Sequence, residues 1–321
     1  MRVFVAGAAG AVGQQLLPQL VAQGHQVTAA TRTPANAGRL RELGAEPTVV
    51  DGLDAMAVGE AVARAEPDAV IHQMTSLAGD VDMRHFDRMF AVTNRLRTQG
   101  TDHLLAAAAA AGARRFIAQS YTGWPNIREG GPVKTEDDPL DPNPPAAQRE
   151  SLAAIEYLER VVPAAAPMQG IVLRYGSFYG PGASDDFVGL VRKRRLPIIG
   201  DGAGVWSFLH IRDAAAATVA ALEHGRAGVY NVVDDEPARV AEWLPFLAQA
   251  VGAKPPRRVP VWLGRLAAGE VAVSAMTQIR GSSNARAKHE LGWQPAWPSW
   301  REGFARGLSD AEPARGATER R

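Results

Sequence analysis

Residues 2–24 place an apolar run, RVFVA, directly ahead of GAAGAVG, and that directly ahead of a helix-like stretch, VGQQLLPQLVAQG, which stops at Gly24. The order is strand, glycine turn, helix. Gly7, Gly10 and Gly13 allow a tight turn and a close approach of backbone to a pyrophosphate, with the helix N-terminus aimed at its charge. The spacing is G-x-x-G-x-x-G. Residues 3–13 have the apolarity of a short secretory leader, but regularly spaced glycines suit a turn better. This one segment commits the N-terminal part of the chain to a nucleotide-binding α/β arrangement.

The rest of the first half repeats the alternation. HQVTAATR (25–32), AEPTVVDG (45–52), PDAVIHQM (67–74), RRFIAQS (114–120) and QGIVLRYGSF (169–178) read as further strands. A long Ala-rich helix is expected over 90–112, ending at Gly112, and another over 151–162. Short apolar strands separated by helices predict a parallel sheet covered on both faces, hence an α/β, doubly wound fold. Beyond about residue 180 the elements shorten and Pro, Gly and Trp become denser. We therefore divide the chain into a cofactor-binding domain over 1–180, with some later segments returning to it, and a smaller α/β substrate-binding region over 181–308. A polar, flexible tail is expected over 309–321. The acidic, Pro-rich stretch 128–146 has the composition of a lid, or else of a solvated connection.

Composition narrows the chemistry. The chain has no cysteine, which removes disulfide scaffolds, zinc ribbons, iron–sulfur clusters and thiol nucleophiles. A net charge of +1 argues against nucleic acid as a partner. The run LLAAAAAAGA at 104–113 is too short to span a bilayer. A cytoplasmic protein with no membrane partner and no metal site is the expectation. Strand two ends in Thr31-Arg32-Thr33; an acidic residue there would suit the ribose of NAD, whereas Arg32 suits the extra phosphate of NADP. The expected cofactor is NADP(H), with NAD(H) as the alternative.

Taken in order, these segments resemble the extended short-chain dehydrogenase/reductase superfamily of the NAD(P)-dependent epimerase/dehydratase type, over roughly residues 1–306. GAAGAVG, VVDGLD, VIHQMTS, RTQGTDHLLAAAAAAGARRF, LRYGSFYGPG, GAGVWSFLHIRDAA, GVYNVVDDEP and NARAKHELGWQP carry the likeness. The resemblance implies a Rossmann-type sheet, with Gly7, Gly10, Ala11, Val12 and Gly13 against the cofactor. It implies Asp51 and Gly52 at the adenine, and Gln73, Met74 and Thr75 on the ribose side. Ser120 would face the nicotinamide and Tyr175 would close over it. His72, mid-strand on a covered sheet, is read as a buried, hydrogen-bonded histidine.

The family's proton-transfer pair is missing. Its usual Tyr has a Lys four residues on, which lowers the phenol pKa toward neutrality. The residues four after Tyr121, Tyr157, Tyr175, Tyr179 and Tyr230 are Pro125, Val161, Tyr179, Ala183 and Asp234. In the segment that should carry the pair, Gln148 and Leu152 stand instead. Candidates to replace it are the hydroxyls of Ser120, Tyr121 and Thr122, able to donate to a developing oxyanion, and Arg149 near the vacant position. Where nucleotide-sugar enzymes of this type carry an Arg for the diphosphate, this chain has Trp206, which suits an apolar or aromatic ring. Trp124 and His210 complete the candidate substrate contacts.

The reading is thus an NADP-dependent oxidoreductase acting on a small, relatively apolar carbonyl or alcohol rather than a nucleotide sugar. The alternatives are a cofactor-dependent epimerase, isomerase or dehydratase, and a non-catalytic NADP(H)-binding sensor or scaffold. The resemblance also implies a homodimer through helices 100–112 and 151–162.

Overall fold

A computed structural model describes residues 1–76 and 82–309. The expected tail therefore lies, from residue 310 on, outside the described residues. Seven strands form one sheet: β1 (Arg2–Ala6), β2 (Gln26–Thr31), β3 (Glu46–Val49), β4 (Ala69–His72), β5 (Arg115–Tyr121), β6 (Gln169–Tyr175) and β7 (Gly228–Val232). Every pairing is parallel, in the order β3-β2-β1-β4-β5-β6-β7. The helices of the first half are α1 (Ala11–Ala22), α2 (Ala37–Glu42), α3 (Ala55–Ala65), α4 (Phe86–Arg95), α5 (Thr101–Ala110) and α6 (Arg149–Val161). Those of the second are α7 (Asp185–Arg192), α8 (Ile211–His224), α9 (Val240–Ala250), α10 (Val261–Thr277), α11 (Ala285–Leu291) and α12 (Trp300–Arg306).

The strands are apolar at nearly every position because both faces of the sheet are covered, and alternate side chains go to opposite faces. Val3, Val5, Ile71, Ile117 and Ile171 join a core with Leu16, Leu17 and Leu20 of α1 and Leu222 of α8. Their neighbours Phe4, Ala6, Val70, Phe116 and Val172 join a second core with Val62 of α3, Leu104 of α5 and Leu158 of α6. A third core lies in the C-terminal region, where Trp243, Leu247, Trp297, Trp300 and Phe304 pack with Tyr179 and Phe208.

Strand β7, together with α8 and α11, comes from beyond residue 180 and packs on the main sheet or its covering core, as segments expected to return to it would. Two other sequence expectations change here. The Ala-rich helix begins at Phe86 and is interrupted by a π-turn, Leu96–Gly100, where the Leu96 carbonyl meets His72 Nε2 at 3.1 Å. The stretch 128–146 is neither free nor merely solvated. Val133–Lys134 pairs with Gly281–Ser282, Lys134 Nζ donates to the Glu129 carbonyl, and Glu136 accepts from the Asn231 amide. The Gly281–Ser282 pairing and the Asn231 bond anchor the stretch to segments beyond residue 180, and the Lys134 bond closes it internally.

Candidate active site

The sheet order reverses between β1 and β4, and ligands of open parallel sheets bind beyond the carboxyl ends of the strands at such a point. The chain folds sharply there. Gly7 has φ +84°, and a Cβ on it would lie 2.5 Å from the Gln73 carbonyl carbon and oxygen. A Cβ on Gly13 would lie 2.2 Å from the Ala8 carbonyl oxygen, so only glycine lets α1 start against the loop. The N-terminus of α1 has no side-chain cap and no acidic residue in its first turn. Gln73 Oε1 is buried with no partner among the described residues. An uncapped, positively polarised helix end behind a glycine cradle fits a dinucleotide pyrophosphate.

The other cofactor candidates fall along the same edge because their strands are neighbours. Arg32 is exposed just past β2, while Thr31 is buried and accepts from Thr33 N and Asn36 Nδ2. Asp51 is exposed after β3, its carboxylate accepting from Leu53 N. Gly52 packs on Met74, whose sulfur lies 2.3 Å from where a Cβ would be. Gln73, Met74 and Thr75 follow β4; Gln73 is buried and Thr75 exposed. His72 is buried and in its neutral form: Nε2 bonds to the Leu96 carbonyl, Nδ1 accepts from Met74 N, and burial lowers its pKa to about 4.

Several expected reacting groups are occupied elsewhere. Ser120 donates to Glu159 Oε1 at 2.7 Å, and Glu159 holds Arg174 through bonds of 2.9 and 2.6 Å, so Ser120 belongs to a buried strut. Thr122 is buried between Asn126 Oδ1 at 3.1 Å and Ser282 Oγ at 2.5 Å. Tyr175 lies in the core with its hydroxyl between Gln73 Nε2 at 3.1 Å and Thr218 Oγ1 at 2.6 Å; it supports Gln73 instead of covering a ring. His210 is fully buried, accepting from Arg212 N at the start of α8, bonded to the Gly307 carbonyl and stacked on Trp297. In this position it caps α8. Arg149 is exposed in the first turn of α6, and Gln148 and Leu152, at the register of the missing pair, are buried.

Tyr121 is the hydroxyl that stays with the site. At the end of β5 it is half-buried, 2.9 Å from Ser177 Oγ. Burial pushes its phenol above the usual pKa, partly opposed by the Ser177 bond, so it stays protonated near neutrality. Ser177 lines a cavity of about 130 Å³ whose other walls include Phe178, Phe187, Trp206, Phe208 and Phe304. Trp206 is half-buried there, its Nε1 donating to the Ala275 carbonyl and its ring packed on Trp243. Trp124 instead meets Phe86 edge-on, at 5.3 Å. Sequence reasoning missed Ser177, Phe187 and Phe304. The segment GSFYGPG was noticed, but nothing in it announces that one Ser would face both Tyr121 and the cavity.

Comparison with known proteins agrees with this geometry. Residues 3–233 match the profile of the NAD dependent epimerase/dehydratase family. The chain is 44% identical over 311 residues to a 3-diazoavenalumate denitrifying reductase of a Streptomyces species, covering 95% of this chain and 100% of that one. It is 30% identical over 270 residues to a 2-alkyl-3-oxoalkanoate reductase of Stenotrophomonas maltophilia, covering 79% and 76%. In fold it resembles the UDP-glucose 4-epimerase of Thermotoga maritima, with TM-score 0.75 and 22% identity over 96% of this chain and 97% of that one. Strand order, glycine cradle and sequence relatives together make this chain an enzyme of the NAD dependent epimerase/dehydratase family.

Proposed function

We propose that the chain is an NADPH-dependent reductase of a small aromatic acid bearing a diazo group. The observation that carries the reading is the Tyr121–Ser177 pair at the wall of an apolar, Trp206-lined cavity, in a chain with no Tyr-x-x-x-Lys pair. Gly7, Gly10, Gly13 and the start of α1 would hold the pyrophosphate, and Arg32 the additional phosphate. When bound, the cofactor supplies a hydride.

A diazo acceptor explains what the site lacks. Carbonyl reduction builds an oxyanion that must be protonated, which is the work of the absent pair. A diazonium carbon already carries its leaving group. Replacing the C–N₂ bond by C–H takes one hydride and releases N₂, with no proton to deliver at the reacting carbon. A phenol held neutral at the wall then needs only to orient the substrate. The relative acting on 3-diazoavenalumate supports this choice. Reduction of a 3-oxo acid is the second reading, favoured by the oxoalkanoate reductase relative and by Tyr121 as a neutral donor to the carbonyl.

The test incubates the full chain with NADPH or NADH and, separately, a hydroxyaryl diazo acid or a 3-oxo acid. Equal amounts of N₂ and oxidised NADPH from the diazo acid support the proposal. NADPH consumed only with the oxo acid assigns the second reading. Turnover without net NADPH consumption would sink both, pointing to epimerisation or dehydration. The homodimer implied by the resemblance belongs to the same proposal; Tyr157 of α6 donates to the Asp102 carboxylate of α5, holding those two helices together, and solution mass reads the outcome.

A further inference from the structure

A second surface stands apart from the cavity. The strand Arg258–Val259 pairs with Ile198–Ile199, which ties the entry of α10 to the segment after α7. The first two turns of α10 meet the body through Gly264, where a Cβ would lie 2.7 Å from the Ile199 side chain. At Gly269 the helix breaks (φ +84°), and only its second half is buried in the C-terminal core. What the first half shows to solvent is apolar. Trp262 is 67% and Leu266 69% exposed, and Val261 and Leu263 are exposed beside them. At about 100° per residue, Val261, Trp262 and Leu263 alone spread over roughly 200° of the helix circumference. A single exposed apolar side chain needs no explanation, but four on two turns do.

The flanks are strongly basic. Residues 192–201 and 254–266 hold eight Arg or Lys and one carboxylate, Asp201, in a chain whose net charge is +1. The run Arg192-Lys193-Arg194-Arg195 and the group Lys254, Arg257 and Arg258 have no carboxylate partner among the described residues. Arg194 Nε donates to the Pro255 carbonyl, which brings the two basic segments together. Of this set only Arg265 is ion-paired, to Glu270.

We propose that this tip docks on an anionic lipid bilayer, with Trp262 and Leu266 in the headgroup–acyl boundary and the surrounding cations on lipid phosphates. A second copy of the chain is a poor occupant, since its basic flanks would repel these. A protein groove receives one face of a helix, whereas the apolar residues here surround most of the tip, as a soft medium accommodates. Cations ringing an exposed Trp match the chemistry of an anionic membrane surface. The sequence reading of no membrane partner rested on the lack of a span. Among the described residues no helix is long and apolar enough to cross a membrane, and surface docking requires none.

The experiment floats the full chain with vesicles of phosphatidylcholine alone, or with roughly a third phosphatidylglycerol, at low and high salt. Flotation is expected only with the anionic vesicles and only at low salt. The double variant Trp262→Gln/Leu266→Gln should lose at least about tenfold in partitioning, with its thermal melt unchanged because both residues are exposed. Arg257→Glu/Arg258→Glu should lose a similar factor. Absence of flotation, or flotation unaffected by both variants, overturns the proposal. Retention on immobilised poly-glutamate without flotation overturns it in favour of an acidic protein partner.

Discussion

A single phenol separates the two substrate readings. If an oxo acid is reduced, Tyr121 donates to a developing oxyanion, and Tyr121→Phe should lower kcat by roughly a hundredfold with KM little changed. If a diazo acid is reduced, the phenol only orients, and the loss should stay below about tenfold. Measuring both kcat values on the same Tyr121→Phe preparation decides between them. Cofactor choice is argued at the same scale. Arg32 is exposed at the end of β2, where an extra phosphate would sit, so Arg32→Ala should weaken NADPH about tenfold and leave NADH unchanged. An equal loss for both cofactors would show that Arg32 does not read the phosphate. Gly7→Ala is more severe. Its methyl group would meet the Gln73 backbone at 2.5 Å on a backbone already at φ +84°, so dinucleotide binding should be lost along with about 2 kcal/mol or more of stability.

At the scale of elements, the strut of Ser120, Glu159 and Arg174 joins β5, α6 and β6 through buried charge. Ser120→Ala removes one hydrogen bond and should cost about 1 kcal/mol in urea unfolding while kcat holds. Glu159→Leu leaves Arg174 buried without a partner and should cost about 3–5 kcal/mol. The reverse pattern, activity abolished by Ser120→Ala at unchanged stability, would return Ser120 to the chemistry. This strut also shows where reading the chain stops. Strands β1, β4 and β5 were legible because apolar runs end at polar or glycine positions, and Gly7 and Gly13 were legible because their role is played by the backbone. The hydrogen-bond partners of Ser120, Thr122 and His210 were not legible, because a hydroxyl or imidazole at a strand end looks the same whichever way it turns. Their partners Glu159, Ser282 and Gly307 lie 39, 160 and 97 residues away. Likewise nothing local marks the π-turn at Leu96–Gly100, which is tied to a histidine 24 residues earlier. The cavity was half legible: Trp206 stood out by replacing an expected Arg, while Phe304 reaches its wall only after α12 has packed.

Across the whole molecule, buried titratable groups make stability depend on pH, and their signs oppose. Burial lowers His72, beneath the cofactor edge, from 6.5 to about 4, and it lowers His210, at the start of α8, to about 4 as well. Between those values the unfolded chain binds protons that the folded chain refuses, so stability falls as pH drops through the window. Asp213 works the other way. Its carboxylate accepts from the Ala296 and Trp297 amides, fastening α8 to the segment before α12, yet burial raises it from 3.8 to about 6. Between 3.8 and about 6 the folded chain holds the extra proton, so this group adds stability as pH falls and loses it as pH rises. Burial raises Asp234 and Glu136 in the same sense as Asp213, so the histidines and these carboxyls pull in opposite directions and each is read by the change its own variant makes in the loss on the acid side. Lowering pH from about 7 to about 5 should cost about 2 kcal/mol through His72 alone. In urea unfolding at those two pH values, His72→Gln should lose stability at pH 7 but show a shallower pH dependence than the parent. Asp213→Asn removes its own opposing contribution and should show a steeper one. An unchanged slope in both variants would place the acid sensitivity of the fold in other groups.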